Sequence, residues 1–491
     1  MTGALDGFDA RLPEVSALVQ WLWEHPELGY DEVGTSAAVV EWVTRVAPEL
    51  TIERFARTGV RVRVPGPSTS SGTEQGPSTG SGTESLDVGR ASRAAGEGSA
   101  GSVPALVEGP ASGTDHRSAG EQPTHPVPEL VEGLSSRRTV AIVAELDALV
   151  VPAHPDADPA TGAVHACGHH TQVGIVCSLF AHYAQGHDLP YDLVFIWVPA
   201  EEYVDLDRRR ALRDAGEIGW FGGKPEAMAL GVFDDVDAAV LVHAMGGGYD
   251  VPTVELDCDL AGFLYKHVTF HGTASHAGFD PFSGTNAASM ATLYSTAIGL
   301  GRQQLREDVY ARLNPVITSA PMTTNVIPDT CRVSTDVRTI DLAYMGQMSR
   351  RLDAMATGAA LALGGRAEIE TEVGYLPFRQ DRDLSQAWRA AFHAGSAGVG
   401  ALLDDRGAAA AAGDVGDLSY VLPCVQIGYS GFTGTVHGRD FQLDDAPFVL
   451  AAFPRFVAAG LARLGDHLGD LHRRSFEDYA VEVERIAEAS V

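Results

Sequence analysis

Three short apolar runs, at residues 139–146, 193–198 and 238–242, constrain this chain more than any other feature, because each ends in chemically active residues. The first run (Val140, Ile142, Val143, Leu146) ends in Asp147. The second ends in Pro199-Ala-Glu-Glu202 and the third in His243. Runs this short and this continuously apolar suit strands buried on both faces, and helical patterns lie between them. Strands alternating with helices predict an α/β layer, a mostly parallel sheet covered by helices. In such sheets ligands collect beyond the carboxyl ends of the strands. Asp147, Glu201, Glu202 and His243 all fall at such ends, whereas chance placement in loops would scatter them.

Between the first two runs lies His165-Ala-Cys-Gly-His-His170, three histidines and a cysteine in six residues. Cys167 and His169 have one residue between them, so in an extended loop both point the same way. A thiolate and an imidazole presented together make a half-site for zinc or another borderline metal. An apolar run at 173–180 then reads as the start of a helix. A later strand at 425–429 is followed by His437. Cys167, His169, Glu202, His243 and His437 are thus the candidate ligands, with Glu201 and Asp147 as acids that bind no metal. Five ligands exceed one tetrahedral site but suit two ions that share a ligand. Adjacent Glu201 and Glu202 leave a strand end in opposite directions. One can bind an ion while the other takes a proton from a water whose pKa that ion has lowered.

The remaining chain divides by pattern. Residues 13–46 predict two helices and 51–64 a strand. From 260 the pattern changes to strand (263–271), helix (286–301), two strands (315–320, 330–338), helix (344–363) and strand (366–373). That order matches the split ferredoxin-like unit and predicts an α+β domain over 260–373, inserted into the first. The chain then returns with a helix at 383–395, a polar loop at 413–420 and closing helices at 448–464 and 477–490. The expected division is therefore a catalytic domain built from 1–65, 139–259 and 374–491, around the 260–373 insertion.

A second insertion is of another kind. Residues 66–138 are rich in Gly, Ser, Thr, Pro and Glu and nearly free of aromatics. They repeat Gly66-Pro-Ser-Thr-Ser-Ser-Gly-Thr-Glu74 almost unchanged at 76–84, and Val103-Pro-Ala-Leu-Val-Glu-Gly109 at 127–133. Such a stretch buries too little apolar surface to offset its ordering entropy, so a disordered loop is expected; a partner-binding tail is the rival reading.

The formal charge of −30 argues against nucleic acid or an anionic membrane as partner. Five scattered cysteines without paired spacing do not suggest a disulfide framework and suit a reducing cytoplasm. Residues 1–14 lack the basic start and apolar core of a leader, and no uninterrupted apolar run is long enough to span a bilayer.

A set of motifs carries a resemblance. They are His25-Pro-Glu-Leu-Gly-Tyr-Asp-Glu32, Ala144-Glu-Leu-Asp-Ala-Leu149, His165-Ala-Cys-Gly-His169, Pro199-Ala-Glu-Glu202 and His243. They continue with His271-Gly-Thr-Ala-Ser-His-Ala277, Thr324-Asn-Val-Ile-Pro-Asp329 and Gly413-Asp-Val-Gly-Asp-Leu-Ser419. In order and spacing the chain resembles the M20 metallopeptidase family of aminoacylases, carboxypeptidase G and succinyl-diaminopimelate desuccinylase. Within it, the chain is most similar to the amidohydrolase subgroup of hippurate hydrolase, auxin-conjugate hydrolases and aminobenzoyl-glutamate hydrolase. The resemblance implies two divalent ions, zinc with manganese or cobalt as alternatives, bridged by Cys167. It implies Glu201 as general base and Asp147 as the group orienting a ligand histidine. His276 would stabilise the oxyanion, within or across subunits, and Asn325 and Arg338 would hold the substrate. The 260–373 domain would act as lid and as the contact of a homodimer.

Two departures stand out. The subgroup usually has Asp where Glu145 and His170 stand. Residues 203–231, with Arg208-Arg-Arg210 and Gly222-Gly-Lys-Pro225, replace a shorter Gly-rich link; they read either as a solvated surface helix or as a segment that reshapes the cleft. The expected activity is hydrolysis of an amide in an N-acyl amino acid, an aminobenzoyl-glutamate-like conjugate or a small dipeptide. The alternative is a non-catalytic relative that binds a ligand or acts as a regulatory partner subunit. Loss of Glu201 or of a ligand would mark that alternative, and neither is lost.

Overall fold

The computed structural model describes residues 7–67, 137–320, 323–395 and 398–488. The expected disordered insertion at 66–138 lies outside the described residues except for its ends, Gly66, Pro67, Arg137 and Arg138.

Eight strands form the main sheet. Their order is Ile52–Phe55, Gly59–Val64, Asp192–Val198, Thr139–Glu145, Ala238–Ala244, Cys424–Tyr429, Thr253–Glu255 and Ala401–Leu403. The four strands from Asp192–Val198 to Cys424–Tyr429 run parallel. Every residue of Thr139–Glu145 is buried. Val140, Ile142 and Ala144 face one core cluster and Ala141 and Val143 the other, as the period of two requires of a strand covered on both sides. The helices Gly7–Glu24, Val33–Val46, His169–Tyr183 and Phe453–Leu464 cover the first face. Gly223–Ala229 and Val415–Val421 cover the second.

Two expectations are corrected here. Residues 51–64 form a hairpin, because Ala56 and Arg57 take left-handed φ values of 42° and 69° and reverse the chain. The expected polar loop at 413–420 contains the helix Val415–Val421. Its Asp417 is buried, and one of its oxygens accepts from the Leu376 N–H and the Tyr479 hydroxyl, so the polar residue that suggested a loop is held inside.

The second sheet has four antiparallel strands, ordered Arg312–Ser319, Thr330–Thr339, Gly262–His271 and Arg366–Tyr375. With the helices Ala287–Gly301 and Leu342–Ala362 it shows the strand–helix–strand–strand–helix–strand order. Alternate residues Cys331, Val333, Thr335 and Val337 are buried, so this sheet, unlike the main one, buries one face of each strand more than the other. One helical stretch, Phe448–His467, is long and apolar enough to cross a membrane by length and composition, with a mean hydropathy of 1.4. It is interrupted by Arg455, and 72% of its apolar window is buried inside the protein, as in a core helix.

The chain leaves the main sheet at Pro67 and returns at Arg137, side by side. The Pro67 carbonyl accepts from Arg137, and the Gly66 N–H donates to Asp192 at 2.9 Å. Closure entropy changes by only about 0.6 kcal/mol per doubling of loop length, so ends already held together depend little on what joins them. Replacing residues 68–136 by a short Gly-Ser link is expected to leave the melting temperature unchanged or slightly raised. A large drop in a thermal melt would show that this segment packs.

Candidate metal centre

Cys167 and His169 converge through a turn rather than through extended alternation. Gly168 between them has φ +88°, a left-handed value that favours glycine, and a Cβ there would stand 2.6 Å from Ala244. His169 then opens the helix His169–Tyr183, four residues before the expected start. The Cys167 Sγ lies 3.5 Å from His243 Nε2 and 3.2 Å from His437 Nε2. His243 comes from the end of a central strand. His437 comes from a loop that holds it at a left-handed φ of 64°, where its N–H donates to the Ala166 carbonyl at 2.8 Å. Glu202 Oε1 stands 3.4 Å from His437 Nε2.

The ring tautomers follow from their partners. His169 Nδ1 donates to the Asp147 carbonyl at 2.9 Å, and His243 Nδ1 to the Ala244 carbonyl at 2.9 Å. Each Nδ1 therefore carries a proton and each Nε2 is left as a lone-pair donor. Cys167, His169 and His243 form one group of donor atoms within 4.8 Å of one another; Cys167, Glu202 and His437 form a second. The two groups share Cys167. His169 Nε2 and Glu202 Oε1 are buried and make no hydrogen bond of good geometry, although Glu145 Oε2 and His437 Nε2 stand 3.0 Å and 3.4 Å away, so each keeps a lone pair for a cation. These donors fit two divalent cations with one bridging thiolate.

The electrostatics agree. Burial and the Glu202 charge push the Cys167 thiol up, but His243 and His169 outweigh them and bring it down to about 6. Burial pushes Glu202 up as well, yet the adjacent His437 ring brings it to about 2. Glu201 is driven the other way. Burial first, then Glu145, Glu202 and Asp414, hold its carboxyl well above the usual range, so it has a high affinity for a proton. Glu201 Oε2 lies 3.8 Å from His169 Nε2, outside the two groups that share Cys167.

A buried frame holds this arrangement. Asp147 Oδ2 accepts from the Glu202 N–H at 2.9 Å, and Glu32 Oε1 accepts from the Ala200 N–H at 2.8 Å. Ala200 itself is left-handed at φ 56°. Arg209, in the stretch that reads either as a solvated helix or as part of the cleft, is 1% exposed and donates to the carbonyls of Ala200, Phe221 and Glu202. The Tyr30 hydroxyl donates to the Trp220 carbonyl at 2.8 Å. The His25–Glu32 motif and residues 203–231 thus brace the Glu201–Glu202 turn from two sides.

The fold does not bring every expected residue to the cluster. His276 and Asn325 lie in paired exposed segments, the Ala277 N–H donating to the Asn325 carbonyl at 2.9 Å. Among the described residues no hydrogen bond or ion pair joins either one to the cluster. Arg338 is half-buried, 2.9 Å from Asp336 and over the Phe263 ring. That ring packs on Tyr375, whose hydroxyl donates to the Glu201 carbonyl. His170 points elsewhere, packed between the rings of Trp23 and His165. Glu145, Lys224, Asp414 and Arg209 were given no role from sequence, although Asp414 lies in the Gly413–Ser419 motif, Arg209 in Arg208-Arg-Arg210, and Glu145 and the 222–225 stretch depart from the resembled pattern.

Residues 141–458 match the family described as Peptidase family M20/M25/M40. N-acetyldiaminopimelate deacetylase of Leuconostoc mesenteroides is 27% identical over 255 residues, 50% of this chain and 62% of that protein. Xaa-Arg dipeptidase of Mus musculus is 27% identical over 240 residues, 48% of this chain and 47% of that protein. The chain therefore spans less than two thirds of either relative. Among solved structures, the YXEP protein of Bacillus subtilis, a dinuclear metal binding peptidase, superposes with a TM-score of 0.61 at 18% identity, covering 92% of this chain and 98% of that one. An aminobenzoyl-glutamate utilization protein from Klebsiella pneumoniae gives 0.56 at 17%, covering 93% and 98%. At these identities the likeness is one of fold.

Three substitutions separate holding the ions from holding the frame. Cys167→Ala is expected to abolish binding of both ions together, and His243→Ala to weaken one, as read by metal analysis after dialysis. Arg209→Ala strands three buried carbonyls and is expected to lower stability by about 3 kcal/mol or more, read by denaturant unfolding.

Proposed function

The chain belongs to peptidase family M20/M25/M40, and we propose on that premise that it is a metal-dependent amidohydrolase. Its substrate is an N-acyl amino acid, an aminobenzoyl-glutamate-like conjugate or a small dipeptide. The observation that carries this reading is Glu201, a buried carboxylate of raised proton affinity set beside, but outside, the two donor groups that share Cys167. A non-catalytic relative would have no use for an acid so placed. The names of the two curated relatives, a deacetylase and a dipeptidase, support an amide as the bond cleaved.

Zinc, or manganese or cobalt in its place, would be held by Cys167, His169, Glu202, His243 and His437 and would polarise the carbonyl and lower the pKa of a water. Glu201 is placed to take a proton from the attacking water and to pass it to the leaving nitrogen. Asp147 fixes the tautomer of His169 through its carbonyl and the position of Glu202 through its carboxylate. Burial of both acids excludes bulk water from the proton transfer. Arg338 is the anchor for a substrate carboxylate, which must compete with Asp336 for the guanidinium, and Asn325 assists it. His276 stabilises the developing oxyanion, and the lack of any hydrogen bond or ion pair to the cluster among the described residues is the reason to assign that role within a homodimer formed through the 260–373 domain. The 260–373 unit is the lid of this enzyme, and its compartment is the cytoplasm.

Glu201→Gln is expected to keep the wild-type ion content while lowering turnover by about 10²-fold to 10⁴-fold. The measurement is metal analysis beside hydrolysis of a panel of N-acyl amino acids, aminobenzoyl-glutamate and dipeptides. Wild-type protein that holds its ions yet hydrolyses nothing on the panel would favour the non-catalytic reading.

A further inference from the structure

One buried charge has no part in the mechanism above. Lys224 is fully buried, and its Nζ donates to Glu145 Oε1 at 2.6 Å and to Asp414 Oδ1. Its backbone N–H donates to the other Asp414 oxygen at 2.9 Å. Both acids border the proposed base and a ligand. The Asp414 N–H donates to Glu201 Oε1 at 3.3 Å, and Glu145 Oε2 lies 3.0 Å from His169 Nε2. Gln172 fixes that same Glu145 oxygen at 2.7 Å.

Glu145, His169 and Glu201 are themselves a cation-competent group, with donor atoms within 4.8 Å of one another. A divalent ion seated there would take the Glu201 oxygens that the reaction needs. Glu145 and Glu201 bring oxygens within 4.8 Å of each other and Asp414 shares the ammonium with Glu145, so this buried negative charge requires positive charge, and a lysine supplies it as a point charge that cannot migrate. We propose that Lys224 is a built-in cation: its ammonium neutralises the Glu145–Glu201–Asp414 group, confines divalent ions to the two groups that share Cys167, and keeps Glu201 free. Lys224 is on this view a positioning residue, acting through Glu145 and Asp414. The inference rests on the metal-dependent reading, and the test separates the two.

The full chain is stripped with a chelator, reloaded with manganese or zinc, desalted and analysed for bound metal. Lys224→Met is expected to hold one more divalent ion per chain than wild type, seated on the Glu145 and Asp414 carboxylates that the ammonium now bridges because the single Nε2 lone pair of His169 is already used, and its turnover is expected to fall as metal is raised. The double variant Lys224→Met with Glu145→Gln is expected to return to the wild-type count, and Lys224→Arg to keep it. A folded Lys224→Met protein with the wild-type count at every metal concentration overturns the inference. If Lys224→Met folds only with metal present, the ion has replaced the ammonium and the inference stands. If it fails to fold with or without metal, while Lys224→Gln combined with Glu145→Gln and Asp414→Asn folds, a divalent ion cannot substitute and the inference fails. Wild-type protein that binds no ion at all overturns the metal-dependent reading instead, and the difference between variant and wild type still decides the role of Lys224.

Discussion

Asp147 ties together the parts of this molecule that bear on its chemistry. Its carbonyl takes the Nδ1 proton of His169, which opens a helix, and its carboxylate takes the N–H of Glu202, which follows the neighbouring strand. Both bonds are buried, where a hydrogen bond is strengthened by the low dielectric and an unpaired group is penalised. One residue at one strand end thus sets the tautomer of one candidate ligand through its carbonyl and the position of another through its carboxylate. The parallel arrangement of the central strands makes this possible, because it delivers their carboxyl ends to the same edge of the sheet.

Around that point the protein concentrates charge that most interiors avoid. Glu32, Glu145, Asp147, Glu201, Glu202, Asp414 and Asp417 are all buried, against the buried cations Lys224 and Arg209. Burial, then Asp147, pushes Glu32 up to about 8, and burial pushes Asp414 to about 6 against the pull of Lys224. The acids are thus held at unequal proton affinities, Glu202 low and Glu201 high, which is what a ligand and a base require of adjacent residues. The large negative charge of the chain has little bearing on this; the local pairing decides it.

The two sheets illustrate different uses of the same pleat. The central strands bury both faces and can place polar groups only at their ends, so chemistry gathers there. The four-stranded sheet carries its helices on one face and leaves the other with polar and aromatic side chains, among them Tyr265, Arg338 and Glu372. Tyr203, Phe263 and Tyr375 pack together where this sheet meets the Glu201–Glu202 turn, and the Tyr375 hydroxyl donates to the Glu201 carbonyl. A displacement of that sheet would therefore be felt at the backbone of Glu201.

Local pattern by itself determined the α/β layer, the strand–helix–strand–strand–helix–strand order and the strand ends that carry Asp147, Glu201, Glu202 and His243, because continuous apolar runs and their polar stops are properties of neighbouring residues. Cys167, His169 and His437 were legible as candidate ligands by residue type, since few side chains offer a thiolate or an imidazole nitrogen. Only the tertiary structure decided that Gly168 turns left-handed to bring Cys167 and His169 together, that Arg209 is interior, and that Lys224 lies between Glu145 and Asp414. The Lys224–Asp414 pair is separated by 190 positions, and a lysine or arginine in sequence looks solvated whatever it pairs with. Periodicity reports which face of an element is buried; which distant charge arrives to neutralise another depends on how whole elements are stacked, and no local window contains that.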